Sequence, residues 1–509
     1  MKMVKSLLLG SAAGVVAVAG AQAADLPVKA KPVQYVKICT LYGDGFYYIP
    51  GTDICIKFAG YIRSDYGYNV NGARTAQYSG TGGAQDRTVS PYSTRHRANL
   101  QIDSRIQTQF GTVRTFQQMQ MQNENLSESF NVSRAFTQFA GFTFGRTKSF
   151  TDPLGQMGDG AGNAQSLHQT QNQSDTGANG VNQIAYTWEL GNGATLSVGM
   201  DETRRKSLTN LSNANVVTAG AEPTTSFAGQ KFPDPWIAFK IAQAWGEFDV
   251  AAIAHDVSAL YYTSTAAGSC PTTVLTGTTQ CTYPTDQLGW AVLSGINIKL
   301  PSISRGTNMG AYFNYSQGAS AYGGGSNLAS PNLFNGWNGG VPTANFANIA
   351  VGWITDGVYC NPGTTNCASN SIQLTTAWTA GGFFMYFWDP QWSTTVYGNY
   401  TDISYNSTVV NNRWFCSGGL ASQSIVVAAG VACNPGFQFW TVGTHTDWFP
   451  VPGMRLAVDV LYTFINSAFD GNIITLNKTT GARPSGAYAA KSQGILSFVF
   501  RAQKTWGGE

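Results

Sequence analysis

Apolar and polar residues alternate one by one in many short segments of this chain. Between residues 455 and 464, an arginine, an aspartate and a threonine alternate with Leu456, Val458, Val460, Tyr462 and Phe464. The same alternation is found in residues 99–103, 183–190 and 195–201. A period of two places alternate side chains on opposite faces of a β-strand. The pattern therefore predicts strands with one apolar face and one polar face.

The connections between the predicted strands are short on one side and long on the other. Between residues 55 and 502 there are about sixteen candidate strands, grouped as hairpins. Short connections lie at Ala140-Gly141, Gly191-Asn192, 244–246 and 447–453. The long connections are polar and cover residues 66–91, 151–180, 204–234, 258–286, 317–371, 403–436 and 465–492. Residues 123–131 form the one short connection on the long side, and an extra strand from Asn348 to Trp353 would bring the count nearer eighteen.

Short turns on one side and long loops on the other are typical of a bacterial transmembrane barrel. Backbone groups that face hydrocarbon must all be hydrogen-bonded, so a sheet that spans a membrane has to close on itself. About sixteen strands leave a water-filled lumen, whereas about eight fill their interior with side chains. The fold class predicted here is all-β, an antiparallel transmembrane β-barrel. An amphipathic sheet in a soluble sandwich would show the same alternation but not the one-sided loops.

The first residues have the features of an export signal. Lys2 and Lys5 precede an apolar run over residues 7–19, and Ala21-Gln22-Ala23 is a small-x-small cleavage site. A membrane anchor is the alternative, but the run is short for a span. We expect a signal peptide at residues 1–23, an N-terminal segment at residues 24–54 and the barrel at residues 55–509.

The composition is unusual for a soluble domain. Charged residues make up 11% of the chain, well under the ~25% of typical globular proteins. Removing residues 1–23 takes away two lysines and leaves 28 basic residues against 27 acidic ones. A nucleic-acid surface needs a clustered basic excess, so this balance argues against that partner.

The eight cysteines fall into four couples that are close in sequence. Export permits disulfides, and no couple has the spacing of a zinc ribbon or a redox site. Free thiols are the alternative to pairing. We predict disulfides between Cys39 and Cys55, Cys270 and Cys281, Cys360 and Cys367, and Cys416 and Cys433, the last three inside long loops.

Several aromatic residues lie near the predicted strand ends. Rings with an apolar body and a polar tip favour the level of the lipid headgroups. Placement at strand ends therefore favours interfacial girdles over an ordinary core for Trp290, Trp388, Trp392, Trp448, Phe449 and Trp506.

Two segments of the chain resemble a known family. Residues 36–66, VKICTLYGDGFYYIPGTDICIKFAGYIRSDY, and residues 134–150, RAFTQFAGFTFGRTKSF, resemble the general porins of alphaproteobacteria such as rhizobia and Brucella. The mature start, ADLPVKAKP, is similar too. The resemblance implies a sixteen-stranded outer-membrane barrel, a homotrimer, and a third long loop that folds into the pore.

A pore sorts solutes by the charges that line its narrowing. The connection at residues 151–180 would fold inward by the family pattern, and it carries Asp152, Asp159 and Asp175 but no lysine or arginine. Arg95 and Arg97 share the polar face of their strand with Asp103. The basic wall candidates are Arg63, Arg95, Arg97, Arg114, Arg134, Arg146 and Lys148. We predict a field between this wall and the loop; the alternative is that these charges are solvated at the rims.

The function predicted from the sequence is passive diffusion of small hydrophilic solutes and ions through an outer-membrane porin. A solute-specific channel is the alternative within the same fold, and a secreted carbohydrate-binding β-protein is the alternative outside it. The four histidines, His96, His168, His255 and His445, form no metal motif. We therefore expect no enzyme activity, metal or cofactor; a serine–histidine lipase that uses His445 is a minor alternative. The expected partners are a homotrimer, outer-membrane lipids with lipopolysaccharide, and small solutes, without nucleic acid.

Overall fold

The computed structural model describes most of the strands and part of the connections. The residues that it describes are 37–70, 76, 90–155, 167, 176, 180–204, 207–211, 227–261, 283–324, 332–333, 347–350, 352–360, 371–417, 425–426, 432–476 and 486–507. The predicted signal peptide at residues 1–23 lies outside them.

Sixteen long strands within the described residues form one antiparallel barrel. Their number agrees with the prediction, and the first strand begins where the sequence placed it. In chain order they are β1 (Cys55–Tyr68), β2 (Tyr92–Thr108), β3 (Gly111–Glu124), β4 (Ser127–Phe139), β5 (Phe142–Thr147), β6 (Val181–Gly191), β7 (Ala194–Asp201), β8 (Asp234–Gln243), β9 (Gly246–Val257), β10 (Gln287–Lys299), β11 (Asn308–Gln317), β12 (Thr376–Asp389), β13 (Trp392–Ser404), β14 (Phe437–Trp448), β15 (Met454–Asn466) and β16 (Gln493–Trp506).

The barrel closes between its first and last strands. Each strand pairs with its neighbours in sequence, and β1 pairs with both β2 and β16. The β1–β16 register runs from Gly60 opposite Trp506 to Tyr68 opposite Phe498. Closure removes the free edge that an open sheet would expose to lipid.

The predicted alternation is confirmed along the strands. In β15, Arg455, Asp459 and Thr463 are buried on the inward side, while Val458 faces outward with 49% of its surface exposed. Outward-facing apolar residues recur around the barrel, among them Ile62, Phe144, Ile184, Phe313, Val396, Val442 and Phe500. The period of two therefore separates a belt of apolar side chains from a polar interior.

The connections also follow the predicted asymmetry. At one end of the barrel the turns are short, with residues 109–110, 140–141, 192–193, 244–245 and 390–391 joining their strands. At the other end the connections are long, except at residues 125–126 between β3 and β4. In outer-membrane barrels the short turns are periplasmic and the long loops are extracellular.

The segment from Asn348 to Trp353 does not add strands to the barrel, so the count nearer eighteen is wrong. Ala347–Ile349 pairs in parallel with Gly486–Ala490 of another loop, and Trp353–Ile354 pairs with Asn332–Leu333. Residues 347–349 and 353–354 form strands, but these belong to small sheets built between loops.

Short elements of the long loops assemble over the outer end of the barrel. The further strands are Leu208–Asn210, Gly357–Tyr359, Gln373–Leu374, Ile425–Val426 and Ile473–Leu476, and the short helices are Pro153–Gly155, Ser320–Gly323, Ser407–Asn411 and Trp414–Ser417. Buried apolar side chains from several of these loops pack on the inward faces of β12–β15 around Phe437, Phe439 and Leu461. We call this assembly the loop cap; its buried loop residues are Ala350, Trp353, Ile354, Val358, Tyr405, Trp414, Phe415, Phe469 and Tyr488.

One predicted disulfide is seen directly. Cys39 and Cys55 are joined, with their Cα atoms 6.0 Å apart, and the bond ties the strand Tyr47–Tyr48 to the base of β1. Cys360 and Cys433 each take part in a disulfide as well. Cys270, Cys281, Cys367 and the side chain of Cys416 lie outside the described residues, so the other three pairings stay predictions.

Large aromatic side chains mark the strand ends. Trp290, Trp388, Trp392, Trp448 and Trp506 are each more than a third exposed. Trp392 and Trp448 stack on neighbouring strands with ring centroids 5.6 Å apart. Among the described residues, no helix is long and apolar enough to cross a membrane.

Candidate functional site

Three predicted wall residues lie together on the inward face of β1 and β2. Arg63, Arg95 and Arg97 are each less than a tenth exposed, and they alternate with outward-facing Ile62 and His96. Arg63 and Arg97 are opposite each other in the register, and Arg95 is opposite Asp65. The parity that separates apolar from polar residues thus brings these guanidinium groups to one patch of wall.

The carboxylate of Asp65 is shared by several arginines of this patch. It accepts a hydrogen bond of 2.8 Å from Arg95 Nη2 and one of 2.7 Å from Arg501 Nε. Arg63 Nε lies 3.6 Å from the same carboxylate. We call Arg63, Arg95, Arg97, Arg501 and Asp65 the arginine cluster; its four cations and one anion leave an excess of three positive charges.

Arg97 is held by a second partner. Its Nε and Nη2 donate hydrogen bonds of 2.9 Å and 2.6 Å to the Gln122 side chain on β3. The guanidinium of Arg63 lies 4.9 Å from the centre of the Tyr61 ring. Because planar guanidinium groups have several donors in a fixed arrangement, these contacts hold the arginines of this wall in defined positions.

The sequence reasoning missed Arg501. It lies on β16 opposite Asp65, and 1% of it is exposed. Its parity is opposite to that of outward-facing Phe498 and Phe500. The alternation of β16 was therefore a signal that could have placed Arg501 on the inward side.

Two predicted wall residues lie nearer the short turns. Arg114 donates a hydrogen bond of 2.9 Å to Asp103, which also binds Arg105 at 2.8 Å. Arg134 lies on β4 opposite Gln118, which is buried on the inward side. Arg114, Arg134 and Lys148 line one cavity of about 770 Å³ together with Asp152.

Arg146 does not share the inward face with the other wall candidates. In the register it lies opposite Ala135 of β4 and Asn182 of β6, which are both exposed. It also has the parity of Phe142 and Phe144, which are more than 40% exposed on the outward side. The pleat of β5 therefore separates Arg146 from the proposed wall.

The start of the connection after β5 folds into the barrel. Ser149 Oγ donates a hydrogen bond of 2.6 Å to Asp201 of β7. Phe150 stacks on Trp236 of β8 with ring centroids 5.6 Å apart. The backbone N–H of Leu154 donates a 2.9 Å hydrogen bond to Asp249 of β9, so residues 149–155 lie along the inner wall.

A second contact places a later part of the same loop against the opposite region of the wall. The backbone N–H of Leu167 donates a hydrogen bond of 2.5 Å to Asp459 of β15, six strands from β9. The Leu167 side chain packs with Val70, Ala457 and Val499. Ala457 is opposite Arg501 in the β15–β16 register. Two described parts of the loop, residues 149–155 and Leu167, therefore contact opposite regions of the inner wall, and Leu167 lies beside the arginine cluster.

Asp152 is buried in the base of this loop. Arg204 Nη2 donates a 2.8 Å hydrogen bond to its carboxylate, and the backbone N–H of Thr176 donates another of 2.9 Å. These contacts offset its charge and tie the two ends of the loop together. Asp159 and Asp175 lie outside the described residues, so their role in the narrowing stays a prediction.

A second polar network joins the loops above this point. Asp356 accepts hydrogen bonds of 2.7 Å from the backbone N–H groups of Ser207 and Ser320. Tyr322 donates a 2.7 Å hydrogen bond to Asp234, which lies 3.0 Å from His255 Nδ1. Burial, with the nearby Asp234 carboxylate, raises the pKa of Tyr322 well above its usual range. Tyr322 thus stays a neutral donor that connects the loop after β11 to β8.

Comparison with known proteins gives one family and two kinds of relative. A family model described as a porin subfamily matches residues 25–498. The Omp2b porins of Brucella melitensis and Brucella suis are each 33% identical to this chain over 215 residues, which cover 39% of this chain and 54% of each relative. The chain therefore spans about half the length of these curated relatives.

Among solved structures, the outer-membrane channel DcaP of Acinetobacter baumannii is similar to this chain in fold. The two structures superpose with a TM-score of 0.51 over 90% of this chain and 99% of that one, at 14% sequence identity. At that identity the likeness shows the barrel fold alone.

Asp249 should stabilise the loop only at Leu154, and Asp459 should stabilise it only at Leu167. A hydrogen bond to a charged group contributes about 1.5–3 kcal/mol. We therefore expect Asp459→Ala to make the Leu167 amide exchange its hydrogen roughly ten- to a hundredfold faster. Asp249→Ala should accelerate the Leu154 amide and leave Leu167 unchanged, so each variant controls for the other. Unchanged exchange at Leu167 in Asp459→Ala would show that this contact does not hold the loop.

Proposed function

Because the chain belongs to the porin subfamily whose model spans residues 25–498, we propose that it forms a water-filled channel in the bacterial outer membrane. Small hydrophilic solutes and ions would diffuse passively through it. The observation that carries the proposal is a closed barrel of sixteen strands whose inward face is polar and whose lumen is crossed by the loop after β5.

The geometry of the narrowing supports diffusion over tight binding. The loop is held at Leu154 and Leu167 by carboxylates of the wall, and the arginine cluster lies on the wall beside the second anchor point. A solute that passes between them meets fixed charges with few apolar surfaces. Such a passage sorts solutes by size and charge.

We propose that this narrowing favours anions. The arginine cluster has an excess of three positive charges, with Arg63, Arg95 and Arg501 within 3.6 Å of the single carboxylate of Asp65. Asp152, the one predicted loop acid within the described residues, is neutralised by Arg204. The part of the wall formed by the arginine cluster therefore has a net positive charge, and an anion gains more than a cation there.

A solute-specific channel has less support. Its main argument from the sequence was a strand count nearer eighteen, and the barrel has sixteen strands within the described residues. A secreted carbohydrate-binding sandwich is not supported by a closed barrel with an apolar outer belt, or by membership of a porin subfamily. The same subfamily favours a channel over an enzyme. The outer belt would contact membrane lipids, and lipopolysaccharide is the lipid expected around the long loops.

We also propose that the chain assembles as a homotrimer through the outer surface of β1–β4. Most outward faces of the barrel are apolar, but Thr115 and Gln117 near the middle of β3 are exposed. His96 Nδ1 lies 3.0 Å from Ser64 Oγ at the rim of an outward groove of about 700 Å³. Polar groups facing hydrocarbon without partners are costly, so a second copy of the chain is the occupant that this surface suits.

Replacement of the two paired arginines of β2 should change ion preference. For a charge about 8 Å away in water the interaction is about 0.5 kcal/mol. The loss of two charges therefore disfavours an anion and favours a cation by about 1 kcal/mol each, and should lower the anion-to-cation permeability ratio about thirtyfold at low salt. The measurement is the reversal potential of Arg95→Gln/Arg97→Gln in a salt gradient across a planar bilayer. Lys299→Gln/Arg305→Gln removes two cations near a short turn and is the matched control. Equal reversal potentials for both double variants would remove the arginine cluster from the selectivity mechanism.

A bulky substitution in the proposed interface should separate the subunits. Ala98 faces outward and lines the groove on β1–β4, whereas Val396 faces outward on β13 with 54% of its surface exposed. We expect Ala98→Trp to migrate as a monomer on an unheated detergent gel, while the wild type and Val396→Trp migrate as a larger species until boiled. A wild type that migrates as a monomer before boiling contradicts the trimer, and a trimeric Ala98→Trp contradicts this interface.

A further inference from the structure

Two phenylalanine rings face the lumen close to the short-turn end of the barrel. Phe116 on β3 and Phe136 on β4 are opposite each other in the register. Their ring centroids are 5.3 Å apart and their planes differ by 26°. Both have the inward parity of Arg114 and Gln118, and both are half-buried. A stacked apolar pair is thus presented to a lumen whose neighbouring wall residues are amides and charges.

Cationic side chains surround this pair. The guanidinium of Arg114 lies 5.3 Å from the centre of the Phe116 ring and 5.4 Å from that of Phe136. Arg134, two residues before Phe136, and Lys148, just beyond β5, line the same cavity of about 770 Å³. A ring surface and positive charges therefore meet on the wall formed by β3–β5.

The acidic residues of the cavity lie on its other wall. Glu189 is on β6, and Asp249 on β9 accepts the hydrogen bond from Leu154. Lys240 on that wall is 2.6 Å from Glu247. Asp152 also lines the cavity, and its charge is offset by Arg204. Glu189 and Asp249 therefore lie across the cavity from the stacked rings and their neighbouring cations.

We propose that this cavity binds aromatic carboxylates on the periplasmic side of the loop that crosses the lumen. The ring of the solute packs against Phe116 and Phe136, and its carboxylate turns toward Arg134, Lys148 and Arg114. The volume of the cavity is within the usual range for small-molecule sites. This inference rests on the proposed channel function and names a class of solute that the channel retains during passage.

Three probes separate the two contributions to binding. Benzoate has both the ring and the charge, cyclohexanecarboxylate has the charge without an aromatic ring, and benzamide has the ring without the charge. Ring stacking of this kind changes an affinity by about two- to tenfold. In titration calorimetry of the folded full-length barrel in detergent, benzoate should therefore bind about two- to tenfold more tightly than cyclohexanecarboxylate, and benzamide should bind more weakly than both.

Substitutions of the stacked phenylalanines and of Arg134 test whether this cavity is the benzoate site. Phe116→Leu/Phe136→Leu should weaken benzoate about two- to tenfold and leave cyclohexanecarboxylate unchanged. Arg134→Gln should weaken both carboxylates and leave benzamide unchanged. The matched control is Phe144→Leu, because Phe144 belongs to a stacked pair with Phe142 on the outward side of β5, and it should bind benzoate like the wild type.

The outcomes for this site and for the channel are distinguishable. Ion conductance of the same preparation in planar bilayers tests the channel, and calorimetry tests the site without needing conduction. A conducting barrel that binds benzoate and cyclohexanecarboxylate equally would overturn the aromatic site and leave the channel standing. A barrel that binds benzoate selectively but never conducts would overturn the channel. If the leucine variants do not fold, equal affinities of the probes for the wild type still reject the proposal.

Discussion

The structure depends on one constraint, that every backbone N–H and C=O facing hydrocarbon needs a hydrogen-bond partner. The sheet meets it by pairing β1 with β16 over Gly60–Tyr68 and Phe498–Trp506. Once the sheet is closed, its pleat assigns alternate side chains to lipid and to lumen. The apolar belt and the polar interior are two consequences of the same closure.

Closure also explains why the loop after β5 can lie inside the barrel. A wall whose inward face is polar offers carboxylates to backbone groups that would otherwise need water. Asp249 and Asp459 accept the N–H groups of Leu154 and Leu167, and Asp152 joins the ends of the loop through Thr176. Since charged acceptors make strong hydrogen bonds, the loop has a fixed place in the lumen. In the proposed channel, the passage lies between the loop and the arginine cluster.

The barrel could be predicted because its pattern is local. A period of two accounts for the alternation in β15 and for the burial of Arg95 and Arg97. Short turns such as residues 140–141 are equally local. The same rule could have identified Arg501 as an inward residue, since it alternates with Phe498 and Phe500, and Arg146 as an outward one, since it shares the parity of Phe142 and Phe144. The partners of these residues could not be read in the same way, because they lie on strands or loops far apart in sequence.

The contacts of the loop cap and of the polar networks could not be predicted from the sequence, for a physical reason. Trp353, Trp414 and Tyr488 are buried against one another by loops that are far apart in sequence, and loops have no period that reveals their inner side. Arg204 and Tyr322 likewise find Asp152 and Asp234 only in the folded barrel. The extra strand considered at residues 348–353 overlaps the observed strand Ala347–Ile349, but its partner is a loop strand and not the barrel wall.

The central claim is that the lumen is an open aqueous passage narrowed by a fixed loop. The most direct measurement is the swelling rate of liposomes that contain the purified protein, in a series of uncharged sugars of increasing size. The account expects rates that fall steadily with sugar size and do not saturate with concentration. Liposomes that do not swell in any sugar, although the folded barrel is inserted, would contradict it.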